Sequence, residues 1–128
     1  MKPRNAGRLW FTFQLFGMDW QVRVAPKDHP VLKSDGDPCM AICYLNERCI
    51  VMARNLTQEQ FRTTFAHELQ HAIEDYAAVD YERGVRADVH DRWTDNIALG
   101  WLYVMRHQPE IVGFLQGKHW LKQQRKKG

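Results

Sequence analysis

His67-Glu68-Leu69-Gln70-His71 is the stretch on which the reading of this chain turns. On an α-helix, residues four apart lie on one face, so two imidazoles at that spacing can converge on a single metal ion. Zinc takes such nitrogens at roughly 2.0–2.1 Å and, in catalytic sites, keeps one position open for water. A carboxylate beside the first histidine then stands next to that water and can accept its proton. Glu68 occupies that place.

The flanking residues put the stretch in mid-helix. Thr57 is suited to the N-cap, and Gln60 three residues later completes a capping box. Phe61, Phe65, Leu69, Ala72, Ile73 and Tyr76 then recur at helical spacing, and neither Gly nor Pro interrupts before Gly84. The competing reading is a helix that carries two histidines and a glutamate by coincidence. It would require both histidines to fall on the core side of the helix by accident.

Two histidines are an incomplete zinc site, because catalytic zinc takes three protein ligands plus water. A third has to come from downstream, where Asp88, His90, Asp91 and Asp95 cluster. They open a second helical stretch, residues 85–107, whose Val89, Trp93, Ile97, Trp101, Val104 and Met105 fit a buried face. Acidic residues in a first turn also suit a helix N-terminus.

With these residues the chain resembles the HExxH zinc metallopeptidases, the zincins, and among them the gluzincin type. In that group an acid on a second helix, about twenty residues past the motif, completes the metal site. The resemblance implies Asp91 as third ligand and Asp95, one turn later, as the carboxylate that orients His67 or His71. The usual ligand is Glu, and Asp is one methylene shorter. His90 therefore stands beside Asp91 as the alternative, and Asp95, Asp75 and Glu74 are the remaining choices. Tyr81 or Tyr76 could donate a hydrogen bond to a tetrahedral oxyanion, a role Tyr or His fills in many zincins. Over residues 40–105 the layout also resembles the small phage and prophage zincins, including the ImmA/IrrE-like metallopeptidases. These place a short sheet before the HExxH helix and a ligand helix after it. The longer metzincin signature and the Gly-Thr-x-Asp run of aspzincins are absent.

The expected fold is α+β: a minimal zincin-like domain with a small antiparallel sheet packed on the HExxH helix and a second, ligand-bearing helix. Residues 9–16 and 20–25 alternate and are β-rich, with Gly17-Met18-Asp19 to turn between them. Residues 26–38 hold three prolines and a glycine and read as a loop. Residues 40–45 and 49–53 flank Asn46-Glu47-Arg48 as a second hairpin. By analogy with zincins, residues 49–54 are expected at the sheet edge, where an extended peptide could add as another strand. Past the break at Gln108-Pro109-Glu110, Ile111, Val112, Phe114 and Leu115 predict a short C-terminal helix over the core.

At 128 residues with 45% apolar content, the chain has the size and core of one domain, residues 1–121, followed by a basic tail at 122–128. No apolar run is long enough to span a membrane, and residues 9–16 read as a strand, not as a signal peptide. A cytoplasmic location is expected. Cys39, Cys43 and Cys49, odd in number and at C-x3-C-x5-C spacing, fit reduced thiols in or near a hairpin. A net charge of +3 is too small to indicate a nucleic-acid protein by itself.

Three functions compete on this basis. The first is a zinc-dependent peptidase acting on a peptide or protein substrate, with Glu68 as general base. The second is an inactive zincin-like protein that holds zinc for structure or binds a partner. The third is a regulator that binds nucleic acid through the basic tail.

Overall fold

The computed structural model describes residues 2–82 and 89–120, with side chains at 2–76 and 97–120. A 3₁₀ turn at Pro3–Asn5 leads into strands β1 (Arg8–Leu15) and β2 (Met18–Ala25). A second such turn at Pro30–Leu32 precedes a two-residue pair, β3 (Lys33–Ser34) and β4 (Asp37–Pro38), and then β5 (Ala41–Tyr44) and β6 (Cys49–Ala53). Helices α1 (Gln58–Glu82), α2 (Val89–His107) and α3 (Pro109–Leu115) follow. The result is a small α+β fold of three helices, a four-stranded sheet and the minor β3–β4 pair among the described residues. No helix among these residues is long and apolar enough to cross a membrane.

The first hairpin forms as its alternation predicts, but the turn is Phe16-Gly17, with both residues at positive φ (52° and 77°) and Leu15 paired to Met18. Two such residues make the type I′ connection whose twist matches that of the strands. The Phe16 ring lies flat on Tyr76, centroids 3.8 Å apart, and also touches Tyr103, so the hairpin tip is tied to both long helices. A bulge between Leu9 and Phe11 breaks strict alternation and lets Trp10 and Phe11 both turn inward.

The sheet departs from expectation in two ways. It is mixed, not antiparallel, in the order β1-β2-β6-β5, because β6 runs parallel to β2. The chain between Ala25 and Met40 skips the place beside β2, so that β5 is laid at the edge and β6 returns between them. It also follows that β6 is interior and β5 is the edge, reversing the expected assignment of residues 49–54 to the edge. The burial of the two strands accords with this. Cys49, Ile50, Val51, Met52 and Ala53 form an uninterrupted apolar run, buried at every position, as suits a strand covered on both faces. The four residues of β5 are each half-buried.

The α1 helix starts on the predicted capping box. The Gln60 backbone N–H donates to Thr57 Oγ1 at 3.2 Å, and the Thr57 N–H donates to Gln60 Oε1 at 3.0 Å. Phe61, Phe65, Leu69, Ala72 and Ile73 are buried against Phe11, Phe13, Ile50 and Met52 of the sheet and Phe114 of α3. Tyr76, at the end of the expected stripe, is 45% exposed and packs on the hairpin tip instead. On α2, Val104 is buried and Ile97 and Trp101 are half-buried as predicted, whereas Met105 is 61% exposed. Val89 and Trp93 have side chains outside the described residues.

Where α2 crosses α1, Gly100 allows the close approach: a Cβ there would stand 2.6 Å from Ile73 Cγ2. Ile73 is fully buried and has no room to yield. Gly100→Val is therefore expected to cost about 1–3 kcal/mol by overpacking. The readout is a lower urea midpoint with an unchanged m-value. An equal or higher midpoint would mean that the helices separate at no cost.

Candidate metal centre

The α1 helix carries His67, Glu68 and His71 around its middle, where the backbone is held by the buried Phe65 and Leu69. The Nε2 atoms of His67 and His71 lie 3.1 Å apart, with the rings nearly perpendicular at 81°. Two nitrogens bound to one tetrahedral zinc at about 2.0–2.1 Å would stand roughly 3.3–3.4 Å apart. The pair thus fits a shared zinc ion with a shift of a few tenths of an ångström. Both imidazoles are exposed, contrary to the expectation that they line the core side. The helix is wide enough for its apolar stripe to face the sheet while the histidines open to solvent beside it.

Glu68 is the one buried charged residue among the described residues, at 7% exposure. Burial pushes its carboxyl up from the ordinary range, while His71, His67 and the backbone N–H of Cys43 pull the other way. The contact with Cys43 joins the helix to the edge strand. Ala53 N–H donates to Met40 O at 2.8 Å, and the β5–β6 register continues as Ala41 opposite Met52 and Cys43 opposite Ile50. Since bonded and non-bonded pairs alternate in an antiparallel ladder, Ala41 and Cys43 direct their backbone groups away from β6. One of these, the Cys43 N–H, stands close enough to the Glu68 carboxyl to favour its charged form.

A cleft of about 320 Å³ runs between Met40 and Ala41 on the strand and Thr63, Thr64, His67 and Glu68 on the helix. A larger cavity of about 570 Å³ adjoins it at Met40, but its polar lining is Lys27, Asp28, Lys33 and Asn55, with no imidazole. The smaller cleft is the chemically equipped one.

His71 has a second neighbour: its Nδ1 lies 3.5 Å from Glu74 Oε2. Gln70 Nε2 donates to Glu74 Oε1 at 3.2 Å, and Trp101 Nε1 donates to Gln70 Oε1 at 2.7 Å. Glu74, weighed from sequence as a third ligand, is therefore seated at the far nitrogen of His71. Asp75 lies near enough to Cys43 to act on its thiol. Tyr76 is stacked on Phe16 and stands about half a turn round the helix from His67, so it does not face the cleft. Asp91, His90 and Asp95 fall in α2 and Tyr81 in α1 by backbone, but their side chains lie outside the described residues, as does Asp88. Among the described residues no group of three His, Cys, Asp or Glu side chains gathers to hold a metal ion. The tail at 122–128 also lies outside them.

Sequence reasoning missed two participants in the site. Cys43 enters because β5 is the edge, a position that composition does not signal, since Ala41–Tyr44 is as continuously apolar as Cys49–Ala53. Trp101 enters through its indole N–H, which a periodicity argument counts as core.

The cysteines are free, and the hairpin keeps them apart. Cys43 pairs with Ile50 on the helix-facing side of the sheet, while Cys49 lies opposite Tyr44 and packs on the other face with Ala6, Val51 and Ala53. Burial pushes the Cys49 thiol up to about 11 despite Arg23 and Arg4 nearby. Burial, then the Glu68 and Asp75 carboxylates, push the Cys43 thiol up further. At pH 8 only about one Cys49 in a thousand would be thiolate. Iodoacetamide is thus expected to label half-exposed Cys39 first and to spare Cys49 until denaturant is added, as read by peptide mass spectrometry. Equal labelling of all three in the native protein would contradict this burial.

Compared with known protein families, curated proteins and solved structures, the chain matches none of them.

Proposed function

We propose that this chain is a zinc-dependent peptidase of the zincin type. The observation that carries the reading is the convergence of the His67 and His71 Nε2 atoms at 3.1 Å beside a buried carboxylate, Glu68. His67 and His71 would hold the metal, with Asp91 or His90 of α2 as third ligand. Bound zinc supplies a water of lowered pKa and polarises the scissile carbonyl.

The chain's own residues do the rest. Glu68 stands beside the histidines, and its burial favours the proton-accepting range that a general base needs at neutral pH. It takes the water proton and returns it to the leaving amine. The open side of β5 offers the backbone groups of Ala41 and the Cys43 carbonyl to an extended peptide, which would lie along the cleft as an added strand. That role passes from residues 49–54 to Ala41–Tyr44. The substrate class is accordingly a peptide or an unfolded protein segment. The test is cleavage of an unstructured protein by the zinc-loaded chain, compared with Glu68→Gln.

A further inference from the structure

The contacts around His71 run further than the metal pair. Trp101 sits on α2, Gln70 and Glu74 on α1, and together they form one continuous line: indole N–H to Gln70 carbonyl (2.7 Å), Gln70 amide to Glu74 carboxylate (3.2 Å), Glu74 to His71 Nδ1 (3.5 Å). The first two links have one sense. The indole nitrogen can only donate, which fixes Oε1 of Gln70 toward α2 and its NH₂ toward Glu74. With one carboxylate oxygen engaged by Gln70, the other is left facing the imidazole. A carboxylate 3.5 Å from Nδ1 favours the tautomer that carries the ring proton there and keeps the lone pair on Nε2. That is the nitrogen turned toward His67.

We infer that Trp101, Gln70 and Glu74 are positioning residues that set the tautomer and orientation of His71, so that the docking of α2 on α1 prepares the nitrogen for metal. The inference rests on the zinc site proposed above. It assigns the residues between and after the histidines a role: Gln70 as relay and Glu74 as orienter. The crossing at Gly100 and Ile73 keeps Trp101 in reach, since Gly100 precedes it directly. Glu74 and His71 are both partly exposed, at 37% and 47% of their side chains, so the effect on metal affinity belongs at the lower end of the 10–100-fold range usual for such partners.

Two measurements test it. Zinc affinity is read by competition with a fluorescent chelator for the wild type, Trp101→Phe, Gln70→Ala, Glu74→Ala and the Trp101→Phe/Gln70→Ala double variant. Trp101→Phe keeps an aromatic ring in the packing and removes the N–H. Each single variant is expected to bind zinc about tenfold more weakly. The double variant should be no weaker than Gln70→Ala, because the two residues act in series. The second measurement is the ¹⁵N chemical shift of the His71 ring in the metal-free protein. The wild type should carry the proton on Nδ1, and Gln70→Ala and Glu74→Ala should move it toward Nε2. Losses that merely add in the double variant, unchanged affinity, or a wild-type proton on Nε2 would each overturn the relay. A wild type that binds no zinc would remove the peptidase reading alone, and the ring shifts would then decide the relay.

Discussion

Glu68→Gln is expected to lower peptide hydrolysis by about 10²–10⁴-fold while leaving zinc content unchanged. The amide has nearly the shape of the carboxylate and keeps a carbonyl oxygen that can face the Cys43 N–H, so the cleft persists. What it cannot do is take a proton from water. The substitution also has a signature without metal. Burial raises the Glu68 carboxyl above its unfolded value, so the folded chain binds that proton more tightly than the unfolded one. The resulting stability is full below the unfolded value and is lost as pH rises through the folded one. Metal-free wild type should therefore lose more stability than Glu68→Gln between mildly acidic and neutral pH, as read by denaturant midpoints at each pH. Retained hydrolysis in the variant would remove Glu68 as the base. Parallel pH curves for the two proteins would mean that the carboxylate is not held in a desolvated place.

Elemental analysis of the wild type should find one zinc per chain, and His67→Ala and His71→Ala should each lose it. In the proposed site, removing one of the two nitrogens 3.1 Å apart would delete a direct ligand. The affinity should fall by at least about a hundredfold, beyond the usual cost of an outer partner. Stability follows by mass action: zinc at a thousand times its dissociation constant adds about 4 kcal/mol, and that increment should be absent from both variants. Parallel analysis of Asp91→Ala and His90→Ala names the third ligand, because only one of them should lose the metal. Zinc present at full occupancy in His71→Ala would show that the pair is not the site. Equal melting losses in His67→Ala and Glu68→Gln would favour a structural or partner-binding role over catalysis, since a general base contributes nothing to metal retention.

Residues 57–73 were legible because everything needed to read them is local. A capping box is a bond between a residue and its third neighbour, and Thr57 and Gln60 make it as written. The burial of Phe61, Phe65, Leu69 and Ile73 follows from 3.6-residue periodicity, and so does the convergence of His67 and His71. The α3 helix, opening at Pro109 with Ile111 and Phe114 buried, is of the same kind.

What lay beyond the sequence involves partners distant along the chain. Periodicity marks a strand but not its neighbour. Whether β6 pairs in parallel with β2, and whether it or β5 takes the edge, depends on how residues 26–40 route the chain around the sheet. That routing moved the open backbone groups to Ala41 and Cys43 and brought the Cys43 N–H to Glu68. In the same way Tyr76 has the residue type of an oxyanion donor, yet the turn at Phe16-Gly17 claims its ring. Trp101 has the residue type of a core aromatic, yet the close crossing at Gly100 delivers its N–H to Gln70. The sequence by itself determined the helix, its apolar stripe and the convergence of His67 and His71, because an α-helix is closed by bonds between near neighbours. Only the tertiary structure decided which strand edge and which indole stand beside that pair. Those are contacts between segments tens of residues apart, set by packing that no local pattern encodes.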